Sequence, residues 1–478
     1  METVSVKFLA FGVAVAIVYN LLRPVAWRQG VLLVANVYFL STFSSNPRAF
    51  LPFAVFMLFG FAGVRLMQDG HTKAFTPVLL AAIGSFIWLK KYTFLPHQSF
   101  LHFAYITLGL SYVFFRVLHL MIDGKNERLP HKVSLVSYLT YTLNFTTLVS
   151  GPIQLYPGFA ETHLAPERPP LTIFIIGNAM ERIAIGFFKV QVLSMLLSRI
   201  QGHAIATLSS TQSFPGRVAT GAVIAASYPV YLYCNFSGYM DFVIGIAAFM
   251  RFKLPENFNR PFSADSFLDF WGRWHITLSG WFRTYFYNPL LTGLMRRFPD
   301  RTKAPILGVV AFFITFTLLG IWHGQNSVFV FYGLLLGFGV SVNKLYQIRM
   351  IKALGIKRYN TIASHPTYEA WARGLTYTYN AFCLFWFWSN WKQMGGFVAT
   401  MKVPALLAAW ALILVAATAV LAFWTVARER LLSIKWHGDP FLQNRYARTA
   451  LATAVVVVVA AVMSLLIGPP AQIVYKAF

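Results

Sequence analysis

Three clusters of polar residues interrupt otherwise apolar stretches, and each could do chemistry. The first is Gly320-Ile321-Trp322-His323-Gly324-Gln325-Asn326, at the end of one apolar run and just before the next. Ionisable groups inside a membrane cost roughly 2.5–3.5 kcal/mol on insertion scales and are functional candidates by default. A neutral His323 imidazole can take a proton from a hydroxyl and later return it. It can equally bond a neighbouring carbonyl and close a helix end. The flanking glycines let other backbone or a ligand come close.

The second cluster runs from Asp269 to Ser279 (DFWGRWHITLS). Helical spacing places Trp271, His275 and Ser279 on one face, with Arg273 and Thr277 on another. Such a segment can line a water-filled cavity with His275 and aim Arg273 at an anionic group. The competing reading is an interfacial helix, with Trp271 and Trp274 in the aromatic belt and Arg273 and Arg283 reaching to water. The third cluster is Asn235-Phe236-Ser237-Gly238-Tyr239-Met240-Asp241. Ser237 and Asp241 are four apart, as are Asn235 and Tyr239, so two polar rows run down this helix. A carboxylate buried this way needs a cation. Arg273 or His275 is the expected partner of Asp241, which then orients the site without performing the chemistry.

The elements that must hold these clusters are membrane helices. Of 478 residues, 57% are hydrophobic, 12% charged and 17% aromatic, and the mean hydropathy is +0.58. That balance excludes disorder, a collagen-like chain and a disulfide scaffold, and too few charges remain to cover a water-facing surface. The apolar runs are continuous, so helices rather than barrel strands are expected. Candidate spans are 6–23, 29–45, 49–68, 74–95, 99–122, 171–198, 217–250, 304–320, 327–347, 371–391, 402–426 and 450–468. Residues 132–153 are apolar but broken, and residues 262–292 read as re-entrant or interfacial. The expectation is a single all-α polytopic membrane domain over residues 1–478, with roughly 11–13 membrane helices plus re-entrant segments.

The net charge of +25 sits in short loops between spans, which argues for cytoplasmic loops and against a nucleic-acid partner. Loops 296–303, 344–373 and 428–448 are basic, whereas 321–326 holds no Lys or Arg and 392–402 holds two lysines. The alternation puts the basic loops in the cytoplasm, and Gly320–Ser327 and the C-terminus outside. Cys234 and Cys383 lie in apolar stretches and read as packing residues. No HExxH, Walker loop or GxSxG elbow occurs, and two histidines are too few for zinc, so no metal is expected.

At these residues the chain resembles the membrane-bound O-acyltransferase family, above all the bacterial branch that serves alginate O-acetylation and teichoic-acid D-alanylation. The matching motifs are NFSGYMD (Asn235–Asp241), PENFNRP (Pro255–Pro261), FWGRWHITLSGWFRTYFYNPL (Phe270–Leu290) and GIWHG (320–324). Upstream, Ser150-Gly151-Pro152-Ile153-Gln154-Leu155-Tyr156 is similar to the family's Gly-Pro-Ile segment, and Ile473–Phe478 to its aromatic tail. The motif-bearing core spans about 150–347.

The resemblance implies helices around a central funnel, with His323 as the catalytic residue and His275 supporting it. Asn235, Asp241, Arg273, Trp274, Trp322 and Ser279 would bind substrate or support the site. It further implies an acyl group, acetyl from acetyl-CoA in alginate-like systems, passed from a cytoplasmic thioester to an acceptor outside. The expected product is an O-acetylated exported polysaccharide or cell-wall glycan. Expected partners are membrane lipid, the glycan itself and an extracytoplasmic acyltransferase or acceptor protein; the expected location is the inner (plasma) membrane. Two alternatives stay open. One is D-alanyl transfer to teichoic acid. The other is a transporter or flippase, which predicts inverted repeats that the sequence does not display.

Overall fold

The computed structural model describes residues 3–436, 439–440 and 444–465. The Ile473–Phe478 tail and the C-terminus, whose side of the membrane the loop charges predict, lie outside those residues. Among the described residues all regular structure is helical except one ladder of two two-residue strands, Lys435–Trp436 and Asp439–Pro440. Among the described residues seven helices are long and apolar enough to cross a membrane, so the chain is an all-α polytopic membrane protein. Contacts divide the described chain into two compact units, residues 3–190 with 236–256, and residues 191–235 with 257–465.

The first unit opens with α1 (Val6–Leu21) and α2 (Val25–Ser41), then α3 (Leu51–Gln68), α4 (Phe75–Leu89) and α5 (Leu110–Lys125). Shorter α6 (Leu135–Thr142) and α7 (Tyr156–Phe159) precede α8 (Ile173–Phe187). The span expected over 99–122 begins only at Leu110. Gly109 adopts the left-handed conformation there (φ 70°), and its own Cβ position would press against the Leu148 carbonyl. Between α6 and α7 the chain leaves the helix yet stays buried, so its carbonyls need donors. Arg116 supplies them: Nη1 donates to Tyr141 O and Thr142 O, and Nη2 to Thr147 O at 2.8 Å.

The chain continues through α9 (Met195–Leu208) and α10 (Phe214–Phe249), the latter assigned to the second unit up to Asn235 and to the first from Phe236. Next come α11 (Phe267–Arg273), α12 (Ile276–Phe282) and α13 (Asn288–Arg297), none long enough to span, so the segment expected to be re-entrant or interfacial is a run of short helices. Then follow α14 (Ala304–His323), α15 (Ser327–Leu354), α16 (Ile356–Ala363), α17 (Pro366–Trp388), α18 (Trp391–Ser433) and α19 (Arg445–Leu465). The outer loop expected over 392–402 is instead helical. An Asn390–Gln393 capping box starts α18 early, and the helix kinks at Lys402 (φ 57°), two residues before Pro404.

Glycines decide how closely these helices approach, as small residues do in membrane interfaces. In the first unit a Cβ on Gly186 of α8 would stand 2.7 Å from Gly238 O and 2.9 Å from Phe242 N of α10. A Cβ on Gly177, in the same helix, would meet nothing within 4 Å. Gly186→Leu should therefore cost about 1–3 kcal/mol or more by overpacking and lower the unfolding temperature in detergent. Gly177→Leu should leave it unchanged or raise it. Equal effects of the two substitutions would contradict this packing.

Candidate active site

His323 is the last residue of α14, because Gly324 turns to extended backbone and Asn326 caps the next helix. Gly320, three residues earlier, faces the backbone of Gly333 on α15, and Gly337 faces Phe313 O, so the two helices meet backbone to backbone. The Gly324 position likewise abuts the Phe329 ring. These glycines seat the helix pair. His323 is buried, with ring contacts to Trp322 (4.8 Å between centroids), Phe387 of α17 (5.2 Å) and Tyr332 of α15 (6.0 Å).

His275 is reached differently. The face expected to run unbroken through Trp271, His275 and Ser279 does not form, because α11 ends at an extended Trp274. His275 itself takes the left-handed conformation (φ 45°, ψ 50°) before α12 begins. Such a conformation costs a non-glycine residue on the order of 1–3 kcal/mol and clusters at functional sites. It persists here because residues 257–259 pair with 273–276. Asn259 N donates to Arg273 O at 2.9 Å and Ile276 N to Asn257 O at 3.0 Å. The Asn257 side chain completes the clasp: its Oδ1 accepts from Thr277 N (3.0 Å) and from Thr277 Oγ1 (2.9 Å), and lies 3.2 Å from His275 Nδ1. An atom that accepts from a backbone N–H is the amide oxygen, so the facing Nδ1 must carry hydrogen. That fixes the tautomer and makes Nε2 the acceptor end of a neutral His275 ring.

Both the His275 and His323 rings are fully buried in the second unit, near enough that a charge on His323 would be felt at His275. A cavity of about 410 Å³ adjoins both chain segments. Its lining includes Trp271, Ile276 and Ser279 from the His275 segment and Phe312, Phe316 and Leu319 from α14, with Arg283 the one charged side chain. Neither imidazole is among the lining residues, but Leu319 is one turn from His323 and Ile276 is next to His275. Trp271 Nε1 and Ser279 Oγ are buried and hold no hydrogen bond among the described residues.

The remaining residues singled out in the sequence fall elsewhere. Asp241 is not paired with Arg273 or His275: Arg182 Nε donates to it at 3.0 Å and Lys189 Nζ at 2.7 Å. The reason is the Gly186–Gly238 approach, which brings α8 against α10 and delivers two cations that sequence spacing could not reveal. Arg273 is held by Asp269 at 2.7 Å, one turn away. Trp274 packs among Phe270, Phe258 and Tyr233. Trp322 and Asn235 are buried. Asn257 was legible only as part of PENFNRP, and Arg283 only as a snorkelling arginine. Among the described residues no group of three or more His, Cys, Asp or Glu is placed to hold a metal ion.

Helices of membrane-spanning length, with two buried histidines on segments that border a largely apolar cavity, define a helical membrane protein. The chain belongs to the membrane-bound O-acyltransferase family, whose sequence profile matches residues 56–372. It is 28% identical over 266 residues to a teichoic acid D-alanyltransferase of Bacillus subtilis, covering 54% of this chain and 65% of that one. The corresponding enzyme of Streptococcus thermophilus is 30% identical over 297 residues, covering 60% and 68%. A Pseudomonas fluorescens protein named "Probable alginate O-acetylase" is 28% identical over 239 residues, covering 50% and 45%. The match thus spans about two thirds of the D-alanyltransferases and under half of the alginate relative.

The Asn257 clasp carries its own test. Asn257→Ala leaves three donors without their acceptor, each worth about 1–3 kcal/mol when buried, so it should lower the unfolding temperature well beyond Thr277→Val. Asn257→Asp keeps an acceptor oxygen and should restore most of that loss. A variant order with Thr277→Val as the worst would refute the clasp.

Proposed function

We propose that this chain is an O-acyltransferase that moves an acetyl group from a cytoplasmic thioester, acetyl-CoA, to a hydroxyl on the extracytoplasmic side, for O-acetylation of an exported polysaccharide or cell-wall glycan. The observation that carries this reading is the pair of buried histidines, His275 and His323, on two chain segments that border one cavity, in a chain of this family. The basic loops support a cytoplasmic donor, since a polyanionic coenzyme is drawn to them. In this reading the acceptor reaches the site directly or through an extracytoplasmic partner protein, and the protein sits in the inner (plasma) membrane.

The roles divide by tautomer and lining. His323 takes the proton of the acceptor hydroxyl as its oxygen attacks the thioester carbonyl; the C–S bond breaks and the leaving thiolate recovers the proton. His275, with Nδ1–H committed to Asn257, cannot donate to an oxyanion while neutral, so it receives a hydrogen bond through Nε2 and orients the acceptor. Trp271 Nε1–H and Ser279 O–H are then the donors for the developing oxyanion. Arg283, at the exposed edge of the cavity, meets the anionic part of the donor. Trp322 fixes the His323 ring by contact, and Asn235, Arg273, Trp274 and Asp241 act through packing and ion pairs.

The D-alanyltransferase relatives favour a second reading, D-alanyl transfer to teichoic acid. The cavity argues against it: a D-alanyl group carries an ammonium, and the lining holds a guanidinium and no carboxylate. Protein reconstituted in liposomes and given either radiolabelled acetyl-CoA or a D-alanyl carrier-protein thioester separates the two. The expected result is acetyl transfer that falls about 10²–10⁴-fold in His323→Ala, with the unfolding profile unchanged. Undiminished transfer by a stably folded His323→Ala protein would overturn the assignment. Transfer from the D-alanyl donor alone would replace acetyl with the second reading.

A further inference from the structure

The first unit contains a knot of positive charge that the proposed chemistry does not use. Arg28 on the first turn of α2, Arg168 in the loop before α8, and Arg251 just past the end of α10 converge on Tyr19 of α1. The Arg168 guanidinium lies 4.9 Å from the centre of the Tyr19 ring, and its charge acts on those of Arg28 and Arg251. Arg28 is fully buried, a rare condition for an arginine without a carboxylate. Among the described residues none of the three forms an ion pair.

Protein oxygens take only part of the donor capacity, the Tyr19 hydroxyl being bonded to Arg28 and Asn20 Oδ1 lying 3.5 Å from Arg168 Nη2. Arg28 Nη2 donates to Ala165 O (2.6 Å), Arg168 Nη1 to Met250 O (3.1 Å) and Arg251 Nη1 to Pro169 O (3.3 Å). Arg28 Nε and Nη1 and Arg251 Nε are buried and hold no hydrogen bond among the described residues. Arg168 and Arg251 are half-buried, so they form a rim above the buried Arg28. Beside them His163 lies 2.7 Å through Nδ1 from the Tyr19 hydroxyl, while its Nε2 is buried and unbonded.

We infer that this cluster is a binding site for a phosphate group. Three guanidinium ions held together without a counter-charge repel one another, and an oxyanion with several acceptor atoms both cancels the repulsion and engages the open N–H groups. Carboxylate partners are not at hand: Glu161 and Glu167 are nearby in sequence but exposed, and neither bridges to the cluster. The phosphate can come from a lipid headgroup or from a soluble molecule, and the inference stands whichever acyl group the protein transfers.

The test uses the full chain in neutral detergent, with unfolding temperature as readout. Probes are phosphatidylglycerol, with phosphatidylcholine as its zwitterionic control, and coenzyme A and inorganic phosphate, with chloride at matched ionic strength. A phosphate probe is expected to raise the unfolding temperature of the wild type, and Arg168→Gln or Arg251→Gln to weaken its apparent affinity about tenfold. Without probe, both variants should melt no lower than wild type, because removing one charge relieves repulsion; a purely structural arginine would melt lower and respond normally. These rim positions are chosen because a buried Arg28→Gln could fail to fold. A response to phosphatidylglycerol alone identifies a lipid phosphate, and a response to the soluble probes alone identifies a soluble one. A wild type stabilised no more by the phosphate probes than by phosphatidylcholine or chloride would overturn the site. Variants that respond as wild type does would overturn it equally.

Discussion

Backbone that leaves the helix inside a membrane protein must find its hydrogen bonds within the protein, because lipid offers none. Each compact unit meets this demand with a buried polar side chain. In the first, Arg116 collects the carbonyls of Tyr141, Thr142 and Thr147. In the second, the Asn257 carboxamide anchors the turn at Thr277 and the ring of His275 together. The second case matters most. The bonds that satisfy the irregular backbone also hold His275 in a conformation it would otherwise leave, and they determine which ring nitrogen carries the proton.

His323 is placed by packing rather than by polar clasping. The contacts of Gly320 and Gly337 bring α14 and α15 into backbone contact, so the end of α14 is fixed among aromatic rings from α15 and α17. One histidine thus rests on a strained turn held by an amide, the other on a rigid helix end. A centre built this way loses little precision to loop motion, since its supports are packed helices and buried hydrogen bonds. The adjoining cavity is apolar apart from a few groups, as small-molecule pockets usually are.

The parts of this arrangement visible in the sequence were those governed by composition. Long apolar runs announced the helices, and the cost of burying an imidazole singled out His275 and His323. What stayed hidden depended on contacts distant in the chain. The helix break at Trp274–His275 follows from pairing with Asn257, 18 residues earlier. Asp241 found Arg182 and Lys189, which lie 59 and 52 residues away, because two glycines let α8 and α10 close up. The stretch after Trp391, a short gap between two apolar spans in the sequence, is helical because the capping box at Asn390 starts α18 there.

The central claim is that the two imidazoles serve one acyl-transfer event, both acting on the acceptor hydroxyl. Its most direct measurement is the transfer rate per folded enzyme for His323→Ala, His275→Gln and the double variant. Residues that act as a unit give non-additive losses. If both rings serve the same event, the double variant falls no more than about threefold below the worse single variant. Losses that multiply would show two independent contributions and contradict a shared centre.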